Sequence, residues 1–182
     1  MNRSGRSLLI GCLLLVTPLL AVADSNSLII SSSARCSLQS LPEYLPEVLA
    51  ACEQVAASGN PQAQFELGSF YYDGQLAERD LALALKWFEQ ASLQGHAQAQ
   101  QRLGMMFFGG EGVPANNVQA FVVLKMAAVN GAEDALDSAD LVAAQMRSDE
   151  LQQATQVLGQ IFREYLLQLQ GSNSLFAPLP QP

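Results

Sequence analysis

The segment RLGMMFFGGEGVPAN, residues 102–116, combines a helical pattern with an abrupt end. Gly104 lies within the apolar part of that pattern, where glycine costs about 1 kcal/mol relative to alanine. Glycines and a proline then follow the two aromatic residues, and such a composition is typical of a turn. A glycine at position 104 therefore needs a reason other than helix formation.

The same pattern occurs 36 residues earlier, where Leu67–Gly68 precedes Leu103–Gly104. A shift by this step places small residues on small ones and aromatic residues on aromatic ones. The matched pairs are Ala63 with Ala99, Gln64 with Gln100, Tyr71 with Phe107, Gly74 with Gly110, Ala84 with Ala120, Ala91 with Ala127, and Gly95 with Gly131. A fixed step of this length indicates a repeat architecture.

Each repeat predicts two antiparallel helices. Asn60 and Asp80 are suited to cap the two helices of the first repeat, and Gly95 follows the last turn of the second helix. Gly68 and Gly104 lie in the middle of the first helix of each repeat. We expect these glycines to let that helix press its backbone against the second helix, while the segment after Phe108 forms the turn.

The flanking sequence extends the series of helices. LPEVLAACEQVAASG, before the first repeat, resembles a lone second helix. After Gly131 a third unit begins, in which Ala139–Asp140 replaces the Leu–Gly pair. Its long second helix carries an apolar stripe: Leu151, Ala154, Leu158, Ile161 and Tyr165. A terminal repeat that departs from the pattern and turns a polar face outward is what capping requires.

The first residues predict export. Arg3 and Arg6 precede LLIGCLLLVTPLL and then AVA at Ala21–Ala23, the order of a secretory signal peptide. We expect cleavage after Ala23, a periplasmic location and no stable membrane insertion afterwards. The alternative is a lipid anchor on Cys12 within LIGC, which we disfavour because too little apolar sequence precedes that cysteine.

The predicted organisation follows from these segments. It comprises a signal peptide (1–23), a flexible amino-terminal segment (24–40), a helical repeat domain (41–170) and a flexible tail (171–182). Within the domain, repeats at about 60–95 and 96–131 precede a divergent capping repeat at 132–170.

The charge of the chain limits the classes of partner, and its cysteine content predicts a disulfide. Without Arg3 and Arg6 the chain carries 7 basic and 17 acidic residues, a net charge near −10. This balance disfavours nucleic acid as a partner, because phosphate binding needs clustered Lys and Arg.

Cys36 and Cys52 remain after cleavage, and an even count in an exported protein predicts a disulfide. The alternative is one buried thiol and one free thiol.

No catalytic, metal or cofactor site is predicted. His96 stands at the repeat position of Asn60, and we interpret it as a turn residue because no serine or cysteine constellation accompanies it. GGEGVP, at residues 109–114, lacks the Lys-Ser/Thr of a phosphate loop.

The repeats resemble the Sel-one-like repeat family, a relative of the tetratricopeptide repeats. The resemblance rests on AQQRLGMMF (99–107), GEGVPAN (110–116) and AAVNG (127–131), and on AQFELGSFY and ALKWFEQAS in the first repeat. GQLA in the first loop and VVL in the last helix of the second repeat depart from the family pattern. The resemblance implies an all-α fold: a short right-handed α-solenoid of antiparallel helix pairs.

The resemblance also implies a function. Family members are scaffolds and adaptors, so we expect a non-catalytic protein that binds a protein or peptide in the bacterial envelope. The alternative is an enzyme or ligand-binding protein acting on muropeptides or β-lactams, as some cysteine-rich relatives have been linked to β-lactam binding. This chain lacks their regularly spaced cysteine pairs. The oligomeric state remains open.

A candidate binding stripe follows from the first helix of each repeat. By resemblance to tetratricopeptide repeats it lines the concave side, with apolar anchors beside amides. Its residues are Gln62, Phe65, Ser69, Tyr72, Gln98, Gln101, Met105 and Phe108. The alternative is that the apolar members pack against flanking helices.

Overall fold

The computed structural model describes Cys36, Leu38 and residues 44–172. The elements of this part of the chain are helices: α1 (Leu45–Ala57), α2 (Pro61–Asp73), α3 (Leu81–Leu93), α4 (Ala97–Gly109), α5 (Asn117–Val129), α6 (Ala135–Ala143) and α7 (Ser148–Ser172). Helices α2 and α3 form one antiparallel pair, α4 and α5 form the next, and α1 packs on α2. The prediction of an all-α solenoid is confirmed.

Local signals in the sequence define the helix ends. The Asn60 side chain accepts a hydrogen bond from the Ala63 amide at 2.9 Å, which satisfies one of the free donors at the start of α2. Asp80 caps α3 in the same way, accepting from the amide of Leu83 at 2.9 Å. Gly74 ends α2 in the left-handed region with φ of 61°, which a residue without a Cβ adopts readily.

The glycines in the middle of α2 and α4 allow the close helix approach that the sequence predicts. A Cβ added at Gly68 would lie 2.5 Å from the ring of Phe88, and one added at Gly104 would lie 2.6 Å from Leu124 Cγ. Phe88 and Leu124 are fully buried. The two side chains therefore occupy the space that a methyl group would take, and the prediction of close packing is confirmed.

A buried amide ladder links consecutive repeats. Gln64 donates to the Ala56 carbonyl at 3.0 Å and accepts from the Gln94 amide at 2.7 Å. One repeat later Gln100 donates to a carbonyl of α3 at 3.0 Å and accepts from the Asn130 amide at 2.8 Å. Because buried polar atoms need partners, these bonds fix the register of each repeat on the one before it.

The predicted disulfide between Cys36 and Cys52 is present, with the two Cα atoms 4.6 Å apart. Both cysteines are buried in a cluster with Leu38, Ala56 and Leu67. The bridge joins the chain before α1 to the side of α1 that packs on α2.

The third unit is more open than the first two. Helices α6 and α7 both pack on α5, whereas they make little contact with each other. Of the predicted stripe on α7, Ala154 is buried and Leu158 and Ile161 are half-buried. Its end members are more accessible, with Leu151 36% and Tyr165 56% exposed.

Several predictions concern residues outside the described part of the chain. They are the signal peptide with cleavage after Ala23, the alternative anchor on Cys12, most of segment 24–40, and the tail from residue 173 onward. Within the described residues, no helix combines the length and apolar character needed to cross a membrane.

Candidate partner-binding surface

The predicted binding stripe lies on the adjacent helices α2 and α4, and we refer to its eight residues as the α2/α4 stripe. Gln62, Gln98 and Met105 are exposed, Met105 to 36%. The remaining members are half-buried: Phe65, Ser69, Tyr72, Gln101 and Phe108. The stripe thus combines amide groups with partly accessible aromatic and thioether side chains.

His96 joins the two halves of the stripe near the amino-terminal ends of the helices. Its Nδ1 accepts a hydrogen bond from the Ala99 amide at 3.2 Å, so the side chain caps α4. Its Nε2 lies 3.0 Å from Oε1 of Gln62, and its ring stacks on Phe65 with centroids 4.8 Å apart. The backbone donor at Nδ1 assigns the ring proton to Nε2, which donates to Gln62. Burial lowers the pKa of His96.

Tyr72 joins the halves of the stripe at the opposite end of α2. Two guanidinium groups contact its ring, that of Arg79 at 4.9 Å and that of Arg102 at 5.6 Å from the ring centroid. Arg79 Nε donates to the Tyr72 carbonyl at 2.9 Å and its other end contacts Glu111 at 3.4 Å. The hydrogen bond from the Tyr72 hydroxyl to Glu111, together with burial, raises the pKa of Tyr72. These contacts hold the ring in one orientation.

The aromatic members of the stripe also contact the core. Phe65 and Tyr72 lie with their ring centroids 5.9 and 6.3 Å from that of Phe88, and Phe108 packs on the same cluster. Each ring therefore presents one side to the core and leaves part of its surface accessible. The predicted contact with flanking helices and the predicted accessible surface coexist in these residues.

The polar side chain of His96 at the stripe is already hydrogen-bonded. Both nitrogens of His96 are engaged, by Gln62 and by the helix amide. In residues 44–172 together with Cys36 and Leu38, no group of three or more His, Cys, Asp or Glu side chains is placed to hold a metal ion.

Sequence reasoning missed the charged residues that support Tyr72. Arg79 and Glu111 lie in loops, and Arg102 occupies the repeat position of Glu66, beside the stripe. A basic residue at a repeat position that carries an acid in the preceding unit was the available signal. Its contact with Tyr72, 30 residues away along the chain, follows only from the packing of α4 on α2.

Comparison with known proteins agrees with this architecture. The family model of the Sel1 repeat matches residues 61–96 and 97–128. No curated protein sequence matches the chain significantly. The fold and these two matches thus define a short helical-repeat protein, and Sel1-repeat proteins are generally protein-interaction scaffolds. More specifically, two adjacent segments of the chain match the Sel1 repeat, so the predicted resemblance to the Sel-one-like repeat family is confirmed over residues 61–128.

Solved structures show the same fold. A protective antigen of uropathogenic Escherichia coli strains, which displays an SLR fold, is 23% identical with a TM-score of 0.67, and the match covers 84% of this chain and 34% of that one. A Sel1 repeat protein of Oxalobacter formigenes is 35% identical over 51% of this chain and 27% of its own, with a TM-score of 0.50. Cysteine-rich protein B of Helicobacter pylori is 22% identical over 60% of this chain and 90% of its own, with a TM-score of 0.51. The chain thus spans about a third or less of the first two structures.

Proposed function

We propose that this chain is a non-catalytic, exported scaffold or adaptor of the bacterial envelope, and that it binds a protein or peptide segment along the α2/α4 stripe. The observation that carries the proposal is the fixed ring of Tyr72 at the junction of α2 and α4. A partly accessible aromatic side chain that is already held in place loses little conformational entropy on binding, and such residues are frequent binding hot spots.

The neighbours of Tyr72 support the same role. Met105 adds an adaptable apolar side chain to the surface, and Gln98 and Gln101 offer donors and acceptors for the backbone of a bound segment. Charge is not dominant, because Glu111 pairs with Arg79. A partner of mixed apolar and amide character is therefore favoured over a strongly charged one.

Export is supported by two features. A disulfide persists mainly in oxidising compartments, and Cys36–Cys52 is bridged. The sequence before it has the order of a signal peptide. The intact mass of the protein from its native host is expected to place the amino terminus at Asp24. A diacylated Cys12 would instead establish a lipid anchor.

Binding through the stripe is tested by capture from envelope extract with variants at its centre. Tyr72→Ala and Phe108→Ala are expected to lower capture by about tenfold or more, as the loss of a hot-spot aromatic implies. Each variant is also melted by circular dichroism, so that lost capture can be compared with lost stability. Captured proteins are identified by mass spectrometry, and the principal partner is then titrated directly.

A matched pair of charge substitutions separates the stripe from exposed apolar surface in general. Met105→Glu alters the stripe, while Leu93→Glu alters an 88% exposed leucine on α3. We expect loss of capture for Met105→Glu only. Three outcomes would contradict the proposal. The two substitutions could lower capture equally, Tyr72→Ala could leave capture undiminished, or the loss of capture could simply follow the loss of melting temperature.

A further inference from the structure

The glycine position of the repeat carries Asp140 in the third unit. At the corresponding positions of α2 and α4, Gly68 and Gly104 have no Cβ. A buried side chain of the next helix therefore lies 2.5 or 2.6 Å from the place that a Cβ would take. An aspartate there cannot accept such an approach. Asp140 instead pairs with Lys125 of α5 at 3.1 Å, and α7 packs on α5 rather than closely on α6.

The open third unit leaves an apolar groove beside α7. Two adjoining depressions of about 350 and 300 Å³ share Val129 of α5 and Phe162 of α7. We call them together the α5/α7 groove. Its accessible apolar side chains include Val129, 61% exposed, Leu136, 53% exposed, and Tyr165, 56% exposed. Asn130, Glu164 and Gln168 add polar groups along its rim.

The chain itself supplies a segment of matching chemistry. Residues 173–182, NSLFAPLPQP, follow α7 directly and contain no charged residue, although the whole chain has a net charge of −8. Leu175, Phe176 and Leu179 are suited to an apolar groove. The prolines cannot donate backbone hydrogen bonds, so a segment that contains them fits a groove better than it would continue α7.

The distances permit this segment to reach the groove. Phe162 lies ten residues before the end of α7, roughly 15 Å along the helix axis. Four residues of extended chain, from Ser172 to Phe176, span roughly 14 Å, and the seven residues to Leu179 span roughly 24 Å. After a reversal at Gly171–Ser172, the segment is therefore long enough for Phe176 to reach Tyr165 and for Leu179 to reach Phe162.

We propose that residues 175–179 fold back along α7 and occupy the α5/α7 groove of the same chain. In this position Phe176 and Leu179 cover Phe162, Tyr165 and Val129, and the rim amides bond the extended backbone. The segment takes the place of the tight α6–α7 contact that Asp140 prevents. It caps the solenoid in cis and is independent of any partner on the α2/α4 stripe.

Hydrogen exchange of the full chain, followed by mass spectrometry, tests whether residues 175–179 occupy the α5/α7 groove. In the double variant Phe176→Asp and Leu179→Asp, peptides covering residues 158–168 are expected to exchange about tenfold faster than in the wild type, since the covering side chains are lost. The matched control is Asn173→Asp with Gln181→Asp, which adds the same charge to the tail outside residues 175–179. Its exchange is expected to equal that of the wild type.

Three results would overturn the proposal. Identical exchange in the double variant and the wild type means that the tail does not cover the groove. Equal acceleration in the control means that added charge, and not the apolar side chains, is responsible. Protection of residues 158–168 that rises with protein concentration assigns the groove to a second copy of the chain.

Discussion

Protonation of His96 is expected to weaken the junction between the two repeats. The neutral ring accepts the Ala99 amide at Nδ1, 3.2 Å away, and donates from Nε2 to Gln62, 3.0 Å away. A proton on Nδ1 removes the acceptor and places a positive charge at the amino terminus of α4, where the helix dipole is also positive. Lowering the pH therefore breaks the cap of α4.

The sign and size of the effect follow from this geometry. Burial lowers the pKa of His96 in the folded protein, while a backbone hydrogen bond of the residue and the charge of Glu66 oppose this shift in part. The unfolded chain therefore binds the proton first, and stability is present above about pH 6.5 and is lost as the pH falls below it. An N-cap is worth about 1 kcal/mol. We expect a loss of about 1 kcal/mol between roughly pH 7.5 and pH 5, or a melting temperature lower by roughly 3 °C.

The first repeat supplies the control, since Asn60 caps α2 through an amide oxygen that does not titrate. His96→Asn should keep the cap of α4 at every pH, while the carboxylates of the chain titrate in both proteins. Urea unfolding at several pH values gives the free energy of unfolding of each. The wild type is expected to lose about 1 kcal/mol more than His96→Asn over this range. Parallel curves would refute the assignment of Nδ1 as the cap.

Two further predictions concern packing and the disulfide. Gly104→Ala is expected to destabilise by about 1–3 kcal/mol, since the new methyl group meets Leu124 at 2.6 Å, whereas Gly159→Ala on open helix surface should stabilise by about 0.5–1 kcal/mol. Thermal melts decide this, and a stabilising Gly104→Ala would show that the helices are not closely packed. Opening the Cys36–Cys52 bridge with a Cys→Ser pair should cost about 3 kcal/mol of unfolding free energy. Thiol labelling of the unfolded, unreduced wild type should find neither cysteine reactive, and labelling of both would exclude the bridge.

The sequence predicts well those features that depend on short-range rules or on the repeat. Asn60 and Asp80 cap their helices because an Asn or Asp side chain reaches an amide two or three residues ahead, wherever the helix lies. Gly68 and Gly104 were identified because the step of 36 residues aligns them. The fold could therefore be predicted before any helix was placed against another.

Features that depend on one helix meeting another were missed. Gln64 and Gln100 match in the repeat, yet their partners Gln94 and Asn130 lie 30 residues further along, and only the packing of the two helices of each repeat brings them together. The sequence predicts a turn residue at His96, whereas in the structure its ring stacks on Phe65 and its Nδ1 caps α4. An amide or imidazole has too many conformations for its partner to be assigned without the neighbouring backbone.

The end of the repeat series is determined by two positions that the earlier repeats share. At the first position, Gly68 and Gly104 are followed by Asp140 in the third unit, and α6 and α7 do not pack closely on each other. The other holds Gln64 and Gln100 and then Leu136, which is 53% exposed and has no amide to continue the ladder. Close approach joins the two helices of a repeat, and the buried amide joins a repeat to the helix before it; both interactions are lost in the same unit. A solenoid that ends in this way retains an apolar groove at its end, and that surface needs a cover from outside the repeat pattern.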